Sequence, residues 1–167
     1  QWMRMHGRLA VPLALQIALQ TLSGLENIHR AGLLHRDLSA DNIMISSTDE
    51  GEPVAKVIDL GVAKQLAGAT MSEATQVGLF VGNPRYSSPE QLGSLPDGEE
   101  IDGRADIYCF GIVLYEMLAG VPPFISNTPH GYAVKHLTEP PPPFSTHPGC
   151  EDIPPGLLRS ILHDIEL

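Results

Sequence analysis

The sequence predicts a mainly helical α+β domain that contains one short β-hairpin. Apolar residues recur at helical spacing in several separate segments of the 167-residue chain. Only two short apolar runs, at 43–45 and 54–58, have the length and the flanking turn residues of strands. The segment between these runs is polar and rich in turn-forming residues. This arrangement predicts two paired strands set among helices.

The first predicted helix begins near Pro12, because proline suits the first turn of a helix. Gly32 is expected to end it, since glycine readily adopts the left-handed conformation that follows many helices. Between these positions, apolar residues recur at helical spacing and form a stripe. The stripe consists of Leu15, Ala18, Leu19, Leu22, Leu25 and Ile28.

The longest apolar segment after the hairpin predicts a helix at 105–119. Apolar residues surround it on nearly every side, which is typical of a buried central helix. Gly120 is expected to stop it, and two prolines follow shortly afterwards. Shorter helices are predicted at 128–137 and 157–165. The proline run at 140–143 indicates an extended connector, and a docking motif for proline-binding modules is the alternative.

Composition and charge restrict the class of protein. A hydrophobic content of 43% is typical of a soluble globular domain. The formal net charge of -10 argues against nucleic-acid binding, because contacts with phosphate backbones require a basic surface. We expect no membrane segment, since no apolar run is long enough to cross a bilayer. A chain that begins at Gln1 without a signal peptide indicates a fragment or a processed protein.

The cysteines and histidines give no sign of a metal site. Cys109 and Cys150 lie far apart and form no Cys-x-x-Cys pattern. Cys109 falls within a helical apolar pattern, so it is expected to be a packed thiol of the core. Unpaired cysteines indicate a reducing compartment. The seven histidines lack the spacing of zinc ligands.

Polar side chains adjoin both predicted strands. The segment 35–42 reads His-Arg-Asp-Leu-Ser-Ala-Asp-Asn before the first strand, and Asp-Leu-Gly at 59–61 follows the second. Strand pairing would bring Asp37, Asn42 and Asp59 to one end of the hairpin. Hard oxygen ligands suit Mg²⁺, and a further carboxylate can orient a hydroxyl group. The pattern therefore indicates phosphoryl transfer.

The order His-Arg-Asp-Leu-x-x-x-Asn followed by Asp-x-Gly resembles the catalytic and metal-binding signatures of protein kinases. A third block at 82–90, Gly-Asn-Pro-Arg-Tyr-Ser-Ser-Pro-Glu, is similar to the end of the family's activation segment. The resemblance covers nearly all of 1–167 and implies the C-terminal lobe of a kinase catalytic domain, truncated at both ends. The glycine-rich loop and the strand lysine of the N-terminal lobe are not found in the sequence.

The resemblance implies a role for each matching residue. Asp37 would be the catalytic base, and Arg36 would receive a phosphate group from the activation segment. Asn42 and Asp59 would hold Mg²⁺ and thereby bind ATP. The residues with an implied structural role are His35, Gly61, Glu90 and Asp106. The candidate phosphorylation sites of the activation segment are Thr70, Ser72 and Thr75.

The resemblance also implies which parts of the lobe Asp106 and Glu90 would contact. Asp106 would brace the backbone of the loop that holds Asp37, and it is also a first-turn acid favoured by the helix dipole. Glu90 pairs in the family with a buried arginine late in the lobe, and no arginine here matches that position. A buried Glu90 without a partner would be costly, so this corner is expected to be frayed or open to water.

Three positions depart from the family's pattern. Leu60 stands where phenylalanine is usual, and it remains apolar. Ser39, counted among the catalytic residues, stands where serine/threonine kinases place a lysine. Asn83 replaces a threonine that in the family touches that lysine and the catalytic aspartate. The changed pair indicates either a rewired contact or impaired phosphoryl transfer.

The function implied by the resemblance is ATP- and Mg²⁺-dependent phosphorylation of serine and threonine hydroxyls in proteins, in the manner of bacterial kinases. It implies protein substrates and a cytoplasmic location, either free or as the cytoplasmic part of a membrane-anchored protein. This chain alone is expected to be inactive without an N-terminal lobe. The alternatives are a non-catalytic, pseudokinase-like binding module and a generic helical domain whose acids serve turns and caps.

Overall fold

The computed structural model describes residues 7–60, 82–96, 98–154 and 156–157. The regular elements of these residues are α1 (Val11–Arg30), β1 (Ile43–Ser47), β2 (Pro53–Val57), α2 (Gly103–Ala119) and α3 (Pro129–Thr138). The short helical turns are Ala40–Asn42, Glu90–Ser94 and Phe144–Thr146. Within these residues, the prediction of a mainly helical α+β domain that contains a β-hairpin is confirmed. The sequence predictions that lie outside the described residues are Gly61, Thr70, Ser72, Thr75 and all but the first residue of the helix at 157–165.

The two strands pair in an antiparallel ladder, with Ile43 opposite Val57 and Ser47 opposite Pro53. Helix α1 holds this hairpin through a side chain that bonds to the backbone of β2. The Gln20 amide donates to the Pro53 carbonyl at 3.1 Å, and its oxygen accepts from the Ala55 N–H at 2.6 Å. These two bonds anchor the first half of β2 to α1.

The C-terminus of α1 follows the sequence prediction. Gly32 has a φ of 72°, which is strained for residues with a Cβ. The Gly32 N–H donates to the His29 carbonyl at 2.9 Å, and the Leu33 N–H donates to the Ile28 carbonyl at 3.1 Å. These two bonds form a Schellman motif, which satisfies carbonyls that the end of a helix leaves free.

The buried face of α1 differs from the predicted stripe. Leu19 is 70% exposed, so its expected place in the apolar stripe is wrong. The buried residues of the helix are Ala14, Ile17, Ala18, Thr21 and Leu25. Thr21 is tolerated there because its hydroxyl donates to the Ile17 carbonyl at 2.8 Å. Gln20 and Gly24 lie beside the buried face of α1 and face β2. Leu19 lies on the other side of the buried face, about 100° around the helix from Ala18.

Helix α2 is the buried centre of the described residues, as predicted. Its first turn is capped by Asp102, whose carboxylate accepts from the Arg104 N–H at 2.9 Å. Most of its side chains are buried, Cys109 among them. The prediction of Cys109 as a core thiol is confirmed, and burial raises the pKa of this thiol. Among the described residues, no helix has the length and apolarity needed to span a membrane.

The proline run lies against α2. The Tyr115 hydroxyl donates to the Pro142 carbonyl at 2.9 Å, and the Tyr115 ring stacks on Phe144 with ring centroids 4.8 Å apart. Pro143 has φ -65° and ψ 146°, which are polyproline values. The end of the run at Pro143 is therefore extended, and the bond to Pro142 ties it to the core, in agreement with the connector interpretation.

The glycines that end α1 and α2 provide a matched test of packing. Gly120 has a φ of 77°, and an added Cβ would lie 3.1 Å from the Arg8 backbone nitrogen. Gly32 has a similar φ of 72°, with nothing within 4 Å of such a Cβ. We expect Gly32→Ala to lower the free energy of unfolding by about 1–2 kcal/mol through backbone strain alone. Gly120→Ala should cost at least about 1 kcal/mol more, because overpacking is added.

Urea denaturation of both variants measures the difference between their free energies of unfolding. Equal costs for the two substitutions would show that the segment at Arg8 does not pack against the end of α2.

Candidate active site

The backbone of loop 35–42 is fixed by one buried carboxylate. Asp106, in the first turn of α2, is 0% exposed. Its Oδ2 accepts from the His35 N–H at 2.8 Å, and its Oδ1 accepts from the Arg36 N–H at 2.8 Å. The His29 Nε2 lies 2.8 Å from the same Oδ2 and donates to it. Three donors therefore compensate the cost of burying this carboxylate.

Arg36 adopts a left-handed backbone with a φ of 62°. This conformation costs a residue with a Cβ about 1–2 kcal/mol. Hydrogen bonds hold it from both sides: the Arg36 N–H donates to Asp106, and the Arg36 carbonyl accepts from the Gln91 amide at 2.8 Å. The strained residue stands directly before Asp37, so the conformation at Arg36 sets the direction in which the chain continues through Asp37.

His35 joins the loop to the end of β2. Its buried ring donates from Nε2 to the Ile58 carbonyl at 3.0 Å, and its Nδ1 accepts from the Asp37 N–H at 3.3 Å. The Ile58 N–H donates to the Asn42 carbonyl at 2.9 Å. Ile58 is thus bonded to both ends of loop 35–42. Asp59, the next residue, consequently lies beside that loop.

Asn42 and Asp59 offer oxygen atoms of the kind that Mg²⁺ prefers. The Asn42 Nδ2 donates to the Asp37 carbonyl at 2.7 Å, which leaves its Oδ1 for another partner. Asp59 is exposed and has a φ of 56°, a region that aspartate tolerates better than most residues. A carboxylate and an amide oxygen suit Mg²⁺ when phosphate and water supply the remaining ligands. The described residues contain no cluster of three His, Cys, Asp or Glu side chains that could hold a metal alone.

Ser39 and Asn83, two of the three departures from the family's pattern, make separate hydrogen bonds. Ser39 is 4% exposed, and its carbonyl accepts from the Asn42 N–H at 3.0 Å. The Asn83 Oδ1 accepts from the Arg85 N–H at 3.2 Å, so this side chain serves its own turn. Both residues are described, and no hydrogen bond joins them.

The block at 82–90 is tied to the central helix by a carboxylate. Glu116 accepts from the Tyr86 hydroxyl at 2.7 Å and from the Arg85 Nη2 at 2.8 Å. Burial and the neighbouring Glu116 raise the pKa of Tyr86. Glu90, expected to act as a support, is half-buried, and no hydrogen bond or ion pair of its carboxylate is found among the described residues.

The same block is also bonded to α3. His136 is buried, and its Nε2 donates to the Arg85 carbonyl at 3.1 Å. Its Nδ1 accepts from the Tyr108 hydroxyl at 2.8 Å, and the Phe124 ring packs edge-on against the imidazole. Sequence reasoning did not identify the residues that make these long-range contacts. They are His29, Gln91, Glu116 and His136.

Comparison with known proteins gives consistent matches. A family model described as "Protein kinase domain" matches residues 1–146. The serine/threonine-protein kinase pkn3 of Myxococcus xanthus is 38% identical over 164 residues, which are 97% of this chain and 28% of that protein. PknB of Mycobacterium leprae (strain TN), a serine/threonine-protein kinase, is 37% identical over 155 residues, 92% of this chain and 23% of that protein.

A further serine/threonine-protein kinase, Pkn1 of Myxococcus xanthus, is 40% identical over 141 residues. These residues are 84% of this chain and 20% of that protein. The chain thus spans between 20% and 28% of the length of these three relatives.

The buried His136 predicts a loss of stability in mild acid. Burial lowers the pKa of His136 below its ordinary value of 6.5, while the bonds to the carbonyls of Arg85 and Pro84 oppose this shift. Between pH 6.5 and the lower pKa of His136 in the folded state, the unfolded chain therefore binds more protons than the folded one. The stability due to neutral His136 is fully present above pH 6.5 and is lost as the pH falls through the lower, folded-state value. The group that faces the imidazole from α2 is the uncharged Tyr108 phenol.

We expect His136→Gln to reduce the drop in melting temperature between about pH 7.5 and about pH 5.5. The control is His130→Gln on the exposed surface of the same helix, which should leave the drop unchanged. Thermal unfolding at the two pH values measures both variants. Identical drops in the wild type and His136→Gln would contradict the prediction.

Proposed function

The chain belongs to the protein kinase family, and we propose that it is the C-terminal lobe of a serine/threonine kinase that phosphorylates proteins with ATP. The observation that carries this proposal is the double attachment of Ile58, whose carbonyl bonds to His35 and whose N–H bonds to Asn42. This attachment supports a site in which loop 35–42 and Asp59 act together. The serine/threonine kinases of Myxococcus and Mycobacterium support the reaction class.

Asn42 and Asp59 are proposed to hold Mg²⁺, through the Asn42 Oδ1 and the Asp59 carboxylate. Bound Mg²⁺ supplies positive charge that neutralises the phosphates of ATP. The bond from the Asn42 Nδ2 to the Asp37 carbonyl turns the amide oxygen away from the backbone of its own loop. Asp59 has a left-handed backbone and is exposed, which supports access of Mg²⁺ to its carboxylate.

Asp37 is proposed to orient the hydroxyl group of a protein substrate and to accept its proton. Phosphoryl transfer demands positioning more than covalent chemistry, so a fixed backbone is the first requirement. The bonds of His35 and Arg36 to Asp106 meet this requirement. We assign Arg36 the role of binding a phosphate group, because its planar guanidinium can bind phosphate with two donors.

The block at 82–90 is proposed to face the protein substrate. It lies under three restraints, two from Glu116 and one from His136, which would keep its shape constant when a peptide binds. Its sequence favours serine and threonine over tyrosine as acceptors. A cytoplasmic site of action is part of this proposal.

A non-catalytic, pseudokinase-like function is the second candidate. Two observations favour it: Ser39 supplies no positive charge, and the Asn83 side chain bonds within its own turn. The presence of Asp37, Asn42 and Asp59 favours catalysis instead. Full-length protein that binds Mg²⁺-ATP without transferring phosphate would support the second candidate.

We expect Asp37→Asn in the full-length protein to lower kcat by about 10²–10⁴-fold, the range for a lost general base. KM for ATP should change little, because the substitution removes an interaction of the transition state. The control is Asp49→Asn, which removes the same charge from the exposed turn between β1 and β2. Initial rates of phosphate transfer to a serine-containing peptide measure both variants. An unchanged kcat in Asp37→Asn would disprove the proposed mechanism.

We expect phosphate on at least one of Thr70, Ser72 and Thr75 in the active full-length protein. Arg36 would bind that phosphate, so removal of all three hydroxyls should lower activity. Phosphopeptide mapping of the active protein, followed by replacement of the three residues with alanine, measures both effects. A fully active protein without phosphate in the segment 61–81 would refute this expectation.

A further inference from the structure

The Gln91 side chain connects three parts of the site that are distant in sequence. It belongs to the helical turn Glu90–Ser94. Its Nε2 donates to the Arg36 carbonyl at 2.8 Å. Its Oε1 accepts from the Ser88 N–H at 3.0 Å and from the Cys109 thiol at 3.5 Å. One amide group thus bonds simultaneously to loop 35–42, to the block at 82–90 and to α2.

The bond to the Arg36 carbonyl acts on the strained position of the loop. Arg36 is left-handed, and its N–H is already held by Asp106. The peptide group that joins Arg36 to Asp37 contributes the carbonyl that Gln91 holds. A free peptide group at this point could rotate, and such a rotation would redirect Asp37. Asp106 and Gln91 therefore fix the two peptide groups on either side of Arg36.

We propose that Gln91 is a positioning residue, which fixes the direction of Asp37 by holding the peptide group before it. This inference rests on the proposed function of Asp37 as the catalytic base. It also links the block at 82–90 to catalysis, since Gln91 belongs to the turn that follows this block. A displacement of the block would move the Gln91 donor away from the Arg36 carbonyl.

The oxygen and the nitrogen of the Gln91 side-chain amide bond to different parts of the molecule, so their contributions can be separated. The oxygen bonds to the Ser88 N–H and the Cys109 thiol, which are contacts within the packed interior. The nitrogen has the Arg36 carbonyl as its hydrogen-bond acceptor. Gln91→Glu keeps the acceptor and removes the donor, so it distinguishes positioning of the loop from packing.

The chain offers a control with the same chemistry. Gln20 also accepts from a backbone N–H and donates to a backbone carbonyl, at Ala55 and Pro53. Pro53 lies at the opposite end of β2 from Asp59. Gln20→Glu therefore removes an equivalent donor without touching loop 35–42.

The experiment compares Gln91→Glu and Gln20→Glu in the full-length protein. For Gln91→Glu we expect kcat to fall about ten- to hundredfold, the range for a buried acceptor left without its donor, with KM for ATP changed less than about threefold. For Gln20→Glu we expect a comparable loss of thermal stability and an unchanged kcat. Hydrogen–deuterium exchange of the amides at 35–38 should accelerate in Gln91→Glu and not in Gln20→Glu.

Two results would overturn the inference: a kcat of Gln91→Glu that falls no further than that of the control, or unchanged exchange at 35–38. A wild-type protein that transfers no phosphate would refute the proposed function instead. The exchange measurement still decides, in that case, whether Gln91 holds the loop.

Discussion

The buried carboxylate of Asp106 is the interaction on which the remainder of the site depends. It is contributed by the helix with the fewest exposed side chains, and it accepts donors from α1 and from two successive amides of loop 35–42. Each N–H left without this acceptor would cost about 1–3 kcal/mol in the interior. Because α2 is packed on nearly all sides, its carboxylate is a fixed point from which the loop is positioned. The fold thus supports the site mainly through one charge in its core.

This fixed point allows two strained residues to persist. Arg36 and Asp59 are the non-glycine residues with positive φ among those described, and each conformation costs about 1–2 kcal/mol. A hairpin of five-residue strands would be marginal alone and could not enforce such strain. The restraint comes from His35 and Asn42, which hold Ile58 from two directions. Strain at Asp59 and strain at Arg36 are therefore stabilised by the same loop.

Among the described residues, local signals in the sequence predicted the main helices and the strands but did not predict which face of each helix is buried. The hairpin, α2 and α3 follow from apolar runs and from stop signals such as Gly120, because these depend on neighbouring residues. The predicted start of α2 missed the capping Asp102, although an aspartate before an apolar helix is a recognisable cap. The stripe of α1 was misassigned at Leu19 because periodicity does not reveal where a hairpin will pack. Gln20 and Gly24 face that hairpin, and neither is apolar enough to mark the contact.

For the site, the order of the motifs predicted that Asp37, Asn42 and Asp59 lie at one end of the hairpin, whereas the supporting side chains had no sequence signal. His29 reaches Asp106 across 77 positions, and Gln91 reaches Arg36 across 55. A histidine or a glutamine within a helical pattern is indistinguishable from an ordinary surface residue until the tertiary packing is known. These long-range bonds have a common consequence. On α2, Asp106 bonds to loop 35–42 and Cys109 bonds to Gln91. Glu116 on the same helix bonds to the block at 82–90. One helix therefore holds both the loop that carries Asp37 and the block at 82–90, which we propose to face the substrate.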